Sequence, residues 1–370
     1  MSAGRRRQAS IKYNQRFPPG GRRGTVLKAL TISAHGGLDQ VRYGDVPTPD
    51  ACAQGEVRIR LTAAALNHLD LFVVAGVPGV SIAPNWVLGA DGVGTIDRLG
   101  AGVAGLALGD RVAINPGISC RACEYCLAGE HPLCPKFRLL GEHRAGTFAE
   151  YIVVPAANVR RIPDTVSDAV AAAFSLATLT AWRMLVTRAQ LKAGESVLIQ
   201  GIGGGVAIAA LQIAKARGAT VWVTSSSERK LAQATALGAD ETLNYTTMDV
   251  AREIRARTGK RGVNVVVDSV GAATWSQSLG ALGRYGRLVT CGASAGPMVE
   301  TDVRRLFWNQ WSILGSTMGS DGEYDAIIAE LHAGRLLPPV DSVIPLAEGR
   351  RAFERLAAGE QFGKIVLSVA

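Results

Sequence analysis

The rhythm of hydrophobic and polar positions changes once along this chain, near residue 180. Between Val26 and Arg161, short runs such as VRIRLTAAAL (57–66), GVGTIDRLG (92–100) and DRVAI (110–114) alternate apolar with polar residues and are broken by glycines. That period of two, with glycine at the bends, predicts a small, curved antiparallel barrel. After Thr180 the pattern becomes strand, glycine turn, helix, strand: SVLIQ (196–200), AIAALQIAKARG (207–218), ATVWVT (219–224), VNVVVD (263–268) and RLVTCG (287–292), with amphipathic helical stretches between. Buried strands alternating with helices predict a parallel, doubly wound sheet, so the fold class is α/β. From about Ser316 there follow one more helix, DGEYDAIIAELHAG, and a strand-like end, GKIVLSV, able to return to the first domain. The expected organisation is a basic tail at 1–25, a β-rich domain at 26–178, a doubly wound domain at 179–317 and a return segment at 318–370.

With 370 residues the chain can bury a large core in two domains. Its net charge of +9 would suggest an anionic polymer as partner, but seven of its cations and no acid lie in residues 1–25, leaving a net of +2 elsewhere. That segment is Gly- and Pro-rich and poor in apolar residues, which predicts disorder. An Arg-rich, acid-free leader also suits organelle targeting, although PPGG (18–21) interrupts any amphipathic helix. No apolar run is long enough to span a membrane and no secretory pattern is present, so the expectation is a cytoplasmic protein with a small-molecule substrate and neither membrane nor nucleic-acid partner.

Four of the six cysteines, Cys120, Cys123, Cys126 and Cys134, fall in the order C-x2-C-x2-C-x7-C. Four thiolates at about 2.3 Å saturate a tetrahedral zinc and leave no position for substrate, so the zinc is expected to be structural. Two disulfides are the alternative, disfavoured in a cytosolic-looking chain of this size.

Between the first strand of the predicted parallel sheet and its helix lies QGIGGGVAIAAL, with Gly201, Gly203, Gly204 and Gly205. Glycines there allow a sharp turn and a close approach of backbone to a pyrophosphate, which then faces the positive end of the helix. In the G-x-G-x-x-G register the third position is Val206; the alternative G-x-x-G-x-x-A fits Gly201, Gly204 and Ala207. At the end of the second strand the chain reads VTSSSERK, with no carboxylate to bind ribose hydroxyls. Ser225, Ser226, Arg229 and Lys230 can instead accept a 2′-phosphate, which favours NADP(H) over NAD(H). Ser225 and Glu228 could equally form a capping box.

Taken together, the cysteine lobe at 120–134, GTFAEY (146–151) and the glycine loop at 201–207 resemble the medium-chain dehydrogenase/reductase superfamily from about Lys28 to the C-terminus. The resemblance implies a GroES-like catalytic domain made from both ends of the chain, an inserted Rossmann domain, a cleft between them and a homo-oligomer, dimer or tetramer. It places Val270, Gly271 and Cys291 at the nicotinamide edge. The zinc alcohol dehydrogenases of the superfamily carry a second, catalytic zinc on a Cys, a His in a GHE motif and a Cys or Asp before the Rossmann domain. Here Asn67, Ala90 and Leu176 stand at or near those places, and only the accompanying acids Asp70 and Asp91 survive. By this criterion the chain is similar to the quinone oxidoreductase group, which works without catalytic zinc but generally lacks the four-cysteine lobe.

Oxidising a simple alcohol requires loss of a proton with a pKa of about 16 in water, which a catalytic zinc makes accessible. Hydride transfer to a quinone or an α,β-unsaturated carbonyl needs only orientation over the nicotinamide and hydrogen bonds to the developing oxyanion. The expected activity is therefore an NADP(H)-dependent reduction of such acceptors. Asn67 is the candidate donor, His68 a phosphate contact or proton relay, His143 a possible proton donor, and Asp70 with Asp91 orient their neighbours. A zinc alcohol dehydrogenase using His68, Asp91 and His143, and a non-catalytic cofactor- or RNA-binding protein, are the competing readings.

Overall fold

The computed structural model describes residues 25–49, 52–77 and 79–369; the basic tail expected at 1–25 lies, apart from Thr25, outside the described residues. Its β-rich part is organised around one long strand, Glu56–Ala65. Register shifts between Arg58 and Ile59 and between Leu61 and Ala63 bend this strand against Asp91–Leu99. Such irregularities increase local twist and let one strand serve several partners. The first half of Glu56–Ala65 also pairs with Tyr151–Pro155, and the second half with the C-terminal strand Lys364–Ser368. The resulting seven-stranded sheet brings residues more than 300 positions apart into one ladder.

The second sheet is parallel throughout, in the order Glu241–Asn244, Thr220–Ser225, Ser196–Ile199, Val263–Asp268, Leu282–Thr290, Ser312–Gly315. Its central strands read as nearly continuous apolar runs because helices cover both faces. Strand order reverses between Ser196–Ile199 and Val263–Asp268, and beyond the carboxyl ends of these two strands such a sheet leaves a crevice. The glycine loop and the turn at 269–271 open into it. The edge strand Glu241–Asn244 was invisible to the periodicity argument: it has four residues, of which only Leu243 and Asn244 are buried.

The two sheets share one core. Ala63, Ala65, Val93 and Val366 from the β-rich part belong to the same buried cluster as Phe174, Ile199 and Leu211. Helix Ser175–Trp182 sits between the parts and packs against the glycine-loop helix Gly205–Ala216 and against Asp321–His332. The expected boundary at 178/179 therefore falls inside a helix that both parts share.

Candidate active site and metal lobe

A cavity of about 430 Å³ opens between the sheets, lined mainly by apolar side chains including Leu69, Phe72, Leu176, Val270 and Met318. Phe72 is the aromatic residue in this lining. Trp86 is buried elsewhere, donating its indole N–H to the Gly141 carbonyl at 2.7 Å, and Trp308 is on the exterior.

One wall is the glycine loop. Gly203 has φ of +135°, a conformation that side chains resist, and its carbonyl accepts the Gly363 N–H at 3.0 Å. Gly205 begins the helix, and a Cβ there would stand 2.9 Å from both Ala177 Cβ and Lys364 Cδ, so only glycine fits. The first turn of this helix carries no acidic residue and its Gly204 cap has no side chain, leaving N–H groups for an anion. Beneath the loop a buried chain of hydrogen bonds fixes it. Thr224 Oγ1 accepts the Gly201 N–H at 2.9 Å and donates to Gln200 Oε1 at 2.8 Å; Gln200 donates to Ser278 Oγ, which donates to Asp268. Asp268 also accepts the N–H groups of Val270 and Gly271, at 2.8 and 3.1 Å, shaping the opposite lip of the crevice.

A dinucleotide fits this wall on two counts. The glycine turn is a cradle that side chains would fill. Gln361, 3% exposed and lining the cavity, leaves Oε1 without a partner among the described residues, an acceptor that a ribose hydroxyl would satisfy. Of the other expected cofactor contacts, Gly204, Val206, Ala207, Lys230 and Val270 line the cavity, whereas Gly271 lines a shallower pocket behind Cys291. Ser225 is buried, and its Oγ accepts the Ser227 N–H at 3.2 Å; the helix cap is Ser227 rather than Ser225. Ser226, Arg229 and Lys230 form a separate recess joined by Arg355, a cation that no motif singles out. Arg229 and Lys230 bond the backbone carbonyls of Glu360 and Gly359 and make no ion pair among the described residues.

At the inner end of the cavity three buried polar side chains meet. The C-terminal strand pairs with Glu56–Ala65 in a register that sets Val366 against Ala65, and its continuation sets Lys364 against Asn67. Lys364 Nζ donates to Asn67 Oδ1 at 2.5 Å and to Asp91 Oδ2 at 3.1 Å. Asn67 Nδ2 donates to Asp91 Oδ2 at 2.9 Å, and Asp91 Oδ1 accepts the Leu176 N–H at 2.8 Å. An ammonium only donates, which fixes the Asn67 amide with its oxygen toward Lys364. The amide N–H groups expected to face a substrate are thus turned toward Asp91 and, at 3.4 Å, the Ala65 carbonyl. Lys364 escaped the sequence argument; its only signal was the GKIVLSV strand, whose register could not be read from the chain.

His68 opens onto the cavity with Cε1 3.9 Å from the Cβ position of Gly204, so it faces the glycine loop. Burial by the surrounding protein, then the charges of Lys364 and Lys230, hold its imidazole below its ordinary pKa. Asp70 accepts the Asn67 N–H at 2.7 Å at the start of helix His68–Ala75, and burial pushes its carboxyl up to about 7. His143 is not brought to this group: it is absent from the cavity lining, and its Nδ1 accepts the Leu139 N–H at 3.2 Å, tying its own loop. Cys291 lines the cavity, and burial pushes its thiol up to about 12, consistent with packing rather than chemistry.

The four cysteine sulfurs lie within 4.8 Å of one another, and are the one such cluster of potential ligands among the described residues. Cys120 Sγ is 3.9 Å and Cys123 Sγ 3.5 Å from Cys126 Sγ. Tetrahedral zinc with bonds of about 2.3 Å requires sulfurs about 3.8 Å apart, so the residues fit the ion. Backbone N–H groups of Cys120 and Lys136 point at Cys134 Sγ, at 3.4 and 3.3 Å. The lobe is docked by charge: Asp321 pairs with Arg121 at 2.6 Å, and the buried Arg183 bonds Glu130 of the lobe and, at 2.9 Å, Glu323.

Comparison with known proteins agrees. Residues 53–164 match the alcohol dehydrogenase GroES-like domain and residues 205–333 the zinc-binding dehydrogenase family. A zinc-type alcohol dehydrogenase-like protein of Schizosaccharomyces pombe is 33% identical over 93% of this chain and 99% of its own length. The chain belongs to the zinc-type alcohol dehydrogenase-like medium-chain dehydrogenase/reductase superfamily. A solved structure described as an NAD-dependent alcohol dehydrogenase superposes with a TM-score of 0.89 at 45% identity, covering 93% of this chain and all of the other. An acryloyl-coenzyme A reductase of Metallosphaera sedula is 31% identical over 92% of this chain and 100% of its own. As a member of this superfamily the chain is an oxidoreductase with a nicotinamide cofactor and a small-molecule substrate. No helix among the described residues is long and apolar enough to cross a membrane.

Two outcomes are expected. Metal analysis should find about one zinc per chain, and Cys126→Ala should bring this below about 0.2 with a clearly lowered melting temperature. Folded Asp70 holds its proton to about pH 7 whereas the unfolded group releases it near 3.8, so native stability falls as pH rises through that window. The stability of Asp70→Asn relative to the native chain should therefore rise between pH 4 and 7, by at most about 1.4 kcal/mol per pH unit, in parallel melting curves.

Proposed function

We propose that this chain is an NADP(H)-dependent reductase of acceptors that spread charge, quinones or α,β-unsaturated carbonyl compounds, and that it works without a catalytic metal. The observation that carries this reading is the donor set around the inner cavity. Asn67, Ala90 and Leu176 offer no imidazole or thiolate, and the oxygens of Asp91 are committed to Leu176, Asn67 and Lys364. When bound, a reduced nicotinamide supplies the hydride. The apolar wall orients the acceptor and excludes water, and the polar cluster meets the carbonyl end. The similarity to an acryloyl-coenzyme A reductase supports a conjugated acceptor. An alcohol dehydrogenase built on His68, Asp91 and His143 has less support, since those three do not converge among the described residues.

Preference for NADP(H) is supported by Arg229 and Lys230 beside Ser226, which make no ion pair among the described residues, and by the lack of a carboxylate at the end of strand Thr220–Ser225. Zinc-bound thiolates suit a reducing compartment, which supports a cytoplasmic setting. A second copy of the chain is the expected partner. The parallel sheet ends on an open edge strand, Ser312–Gly315, near which Phe307 and Trp308 are exposed.

Purified protein with NADPH should reduce an enone or quinone with kcat/KM at least about 100-fold above a simple ketone. Equal turnover of ketone, or a second zinc per chain, contradicts the proposal. Changing Arg229 and Lys230 together to Ala should raise KM for NADPH about 10- to 100-fold while leaving NADH nearly unaffected. Light scattering should give a mass of two or four chains, reduced by Trp308→Glu.

A further inference from the structure

We propose that the ribose 2′-phosphate of the dinucleotide is gripped from both parts of the molecule at once, with Arg355 of the β-rich part closing on it opposite Arg229 and Lys230 of the parallel-sheet part. The inference rests on the NADP(H) reading and deepens it by naming the residue on the far side of the cleft that selects this cofactor.

Three observations carry it. The first is the recess itself, of about 400 Å³, which Arg355 lines together with Ser226, Ser227, Arg229 and Lys230. Its cations come from two places in the fold. Arg229 and Lys230 lie on helix Glu228–Ala236, which follows strand Thr220–Ser225, and Arg355 lies on helix Gly349–Ala357, which precedes the C-terminal strand.

The second is that these two helices are already tied together at the recess. Arg229 Nη2 donates to the Glu360 carbonyl at 2.8 Å and Lys230 Nζ to the Gly359 carbonyl at 2.5 Å. Both carbonyls belong to the turn that leaves the Arg355 helix, so the cations of the two parts face one space without any movement of the parts. Burial and then the charge of Arg229 hold the Lys230 ammonium below its ordinary pKa, and Arg355 acts in the same direction. A bound dianion relieves that crowding of like charge.

The third is the aim of the guanidinium. Asp341 Oδ2 accepts from Arg355 Nε at 2.7 Å and Oδ1 accepts from Nη2 at 3.0 Å, a two-point pair that fixes the plane of the group. Asp341 is itself anchored, since Oδ1 also accepts the Phe362 N–H at 3.1 Å. Nη1 keeps two N–H groups and makes no hydrogen bond among the described residues. Glu360 Oε2 stands 3.7 Å from it, beyond hydrogen-bond reach, on a side chain that is 68% exposed. So exposed a carboxylate holds the arginine weakly and can turn to solvent when a phosphate arrives. A ribose hydroxyl carries no charge to draw it, so the grip favours the phosphorylated cofactor alone.

The test compares native protein with Arg355→Gln, whose amide can still bond Asp341, and with Glu360→Gln. Dissociation constants are read by calorimetry for NADPH, NADH, 5′-AMP, adenosine 2′,5′-bisphosphate and adenosine 3′,5′-bisphosphate, the last being the end of a coenzyme A chain. Arg355→Gln should weaken NADPH and the 2′,5′-bisphosphate about 10- to 30-fold, with NADH and 5′-AMP within about threefold. Glu360→Gln should tighten the first two about two- to threefold. Should Arg355→Gln fail to fold, Arg355→Lys keeps the charge without the fork and should lose about three- to tenfold for the same two ligands. The proposal is overturned if the Arg355 variant weakens NADPH and NADH alike, which makes Arg355 a structural tie through Asp341, or if it changes neither. It is equally overturned if native protein binds the 3′,5′-bisphosphate more tightly than the 2′,5′-isomer. A preference for NADPH that the Arg229→Ala, Lys230→Ala variant loses and Arg355→Gln retains refutes the grip alone. Native protein that binds NADH as tightly as NADPH refutes the NADP(H) reading, and the grip with it.

Discussion

The arrangement of this molecule depends on the pairing of its last strand with one of its first. Lys364–Ser368 joins Glu56–Ala65 across some 300 residues, so the parallel sheet is inserted between the two halves of the β-rich part. Loop-closure entropy grows slowly with length, so such a return is affordable once apolar faces reward it. Val366 and Leu367 are fully buried, and supply that reward. The same register delivers Lys364 to Asn67, so the strand that completes the fold also completes the site.

A second dependence runs through the cysteine lobe. Alone it is a loop with little to bury, and a metal gives it a fixed shape. Its outer residues then become ligands for the rest of the protein: Arg121 and His131 reach Asp321, and Glu130 reaches Arg183 on the segment that continues helix Ser175–Trp182. Ala177 and Thr180 on that helix line the cavity. The lobe thus supports the site at one remove, through a helix, without any cysteine facing substrate.

Local signals in the chain were legible and distant ones were not. The cysteine spacing, the glycine loop and the central apolar strands each carry their meaning within about fifteen residues, and each appears where that meaning requires. Asn67 and Asp91 could be placed near the cleft by resemblance, but their orientation is decided by Lys364, nearly 300 residues away. Gln361 reaches the cavity and Arg355 the recess beside it by the same return of the chain, and no period or motif near them announces it. His143 shows the converse: a histidine beside a motif that does not line the cavity, its Nδ1 accepting the Leu139 N–H. The short edge strand Glu241–Asn244 was missed for a different reason, since four residues hold too little pattern to separate from a turn.

Burying a lysine and a carboxylate together gains little stability, because the loss of hydration offsets much of their attraction. The Lys364–Asp91 pair is 4% and 0% exposed at its side chains, so its presence is not explained as a staple. The buried polar cluster, the apolar wall and the glycine cradle meet in one cleft, where the charges of Lys364 and Asp91 compensate each other among apolar surroundings.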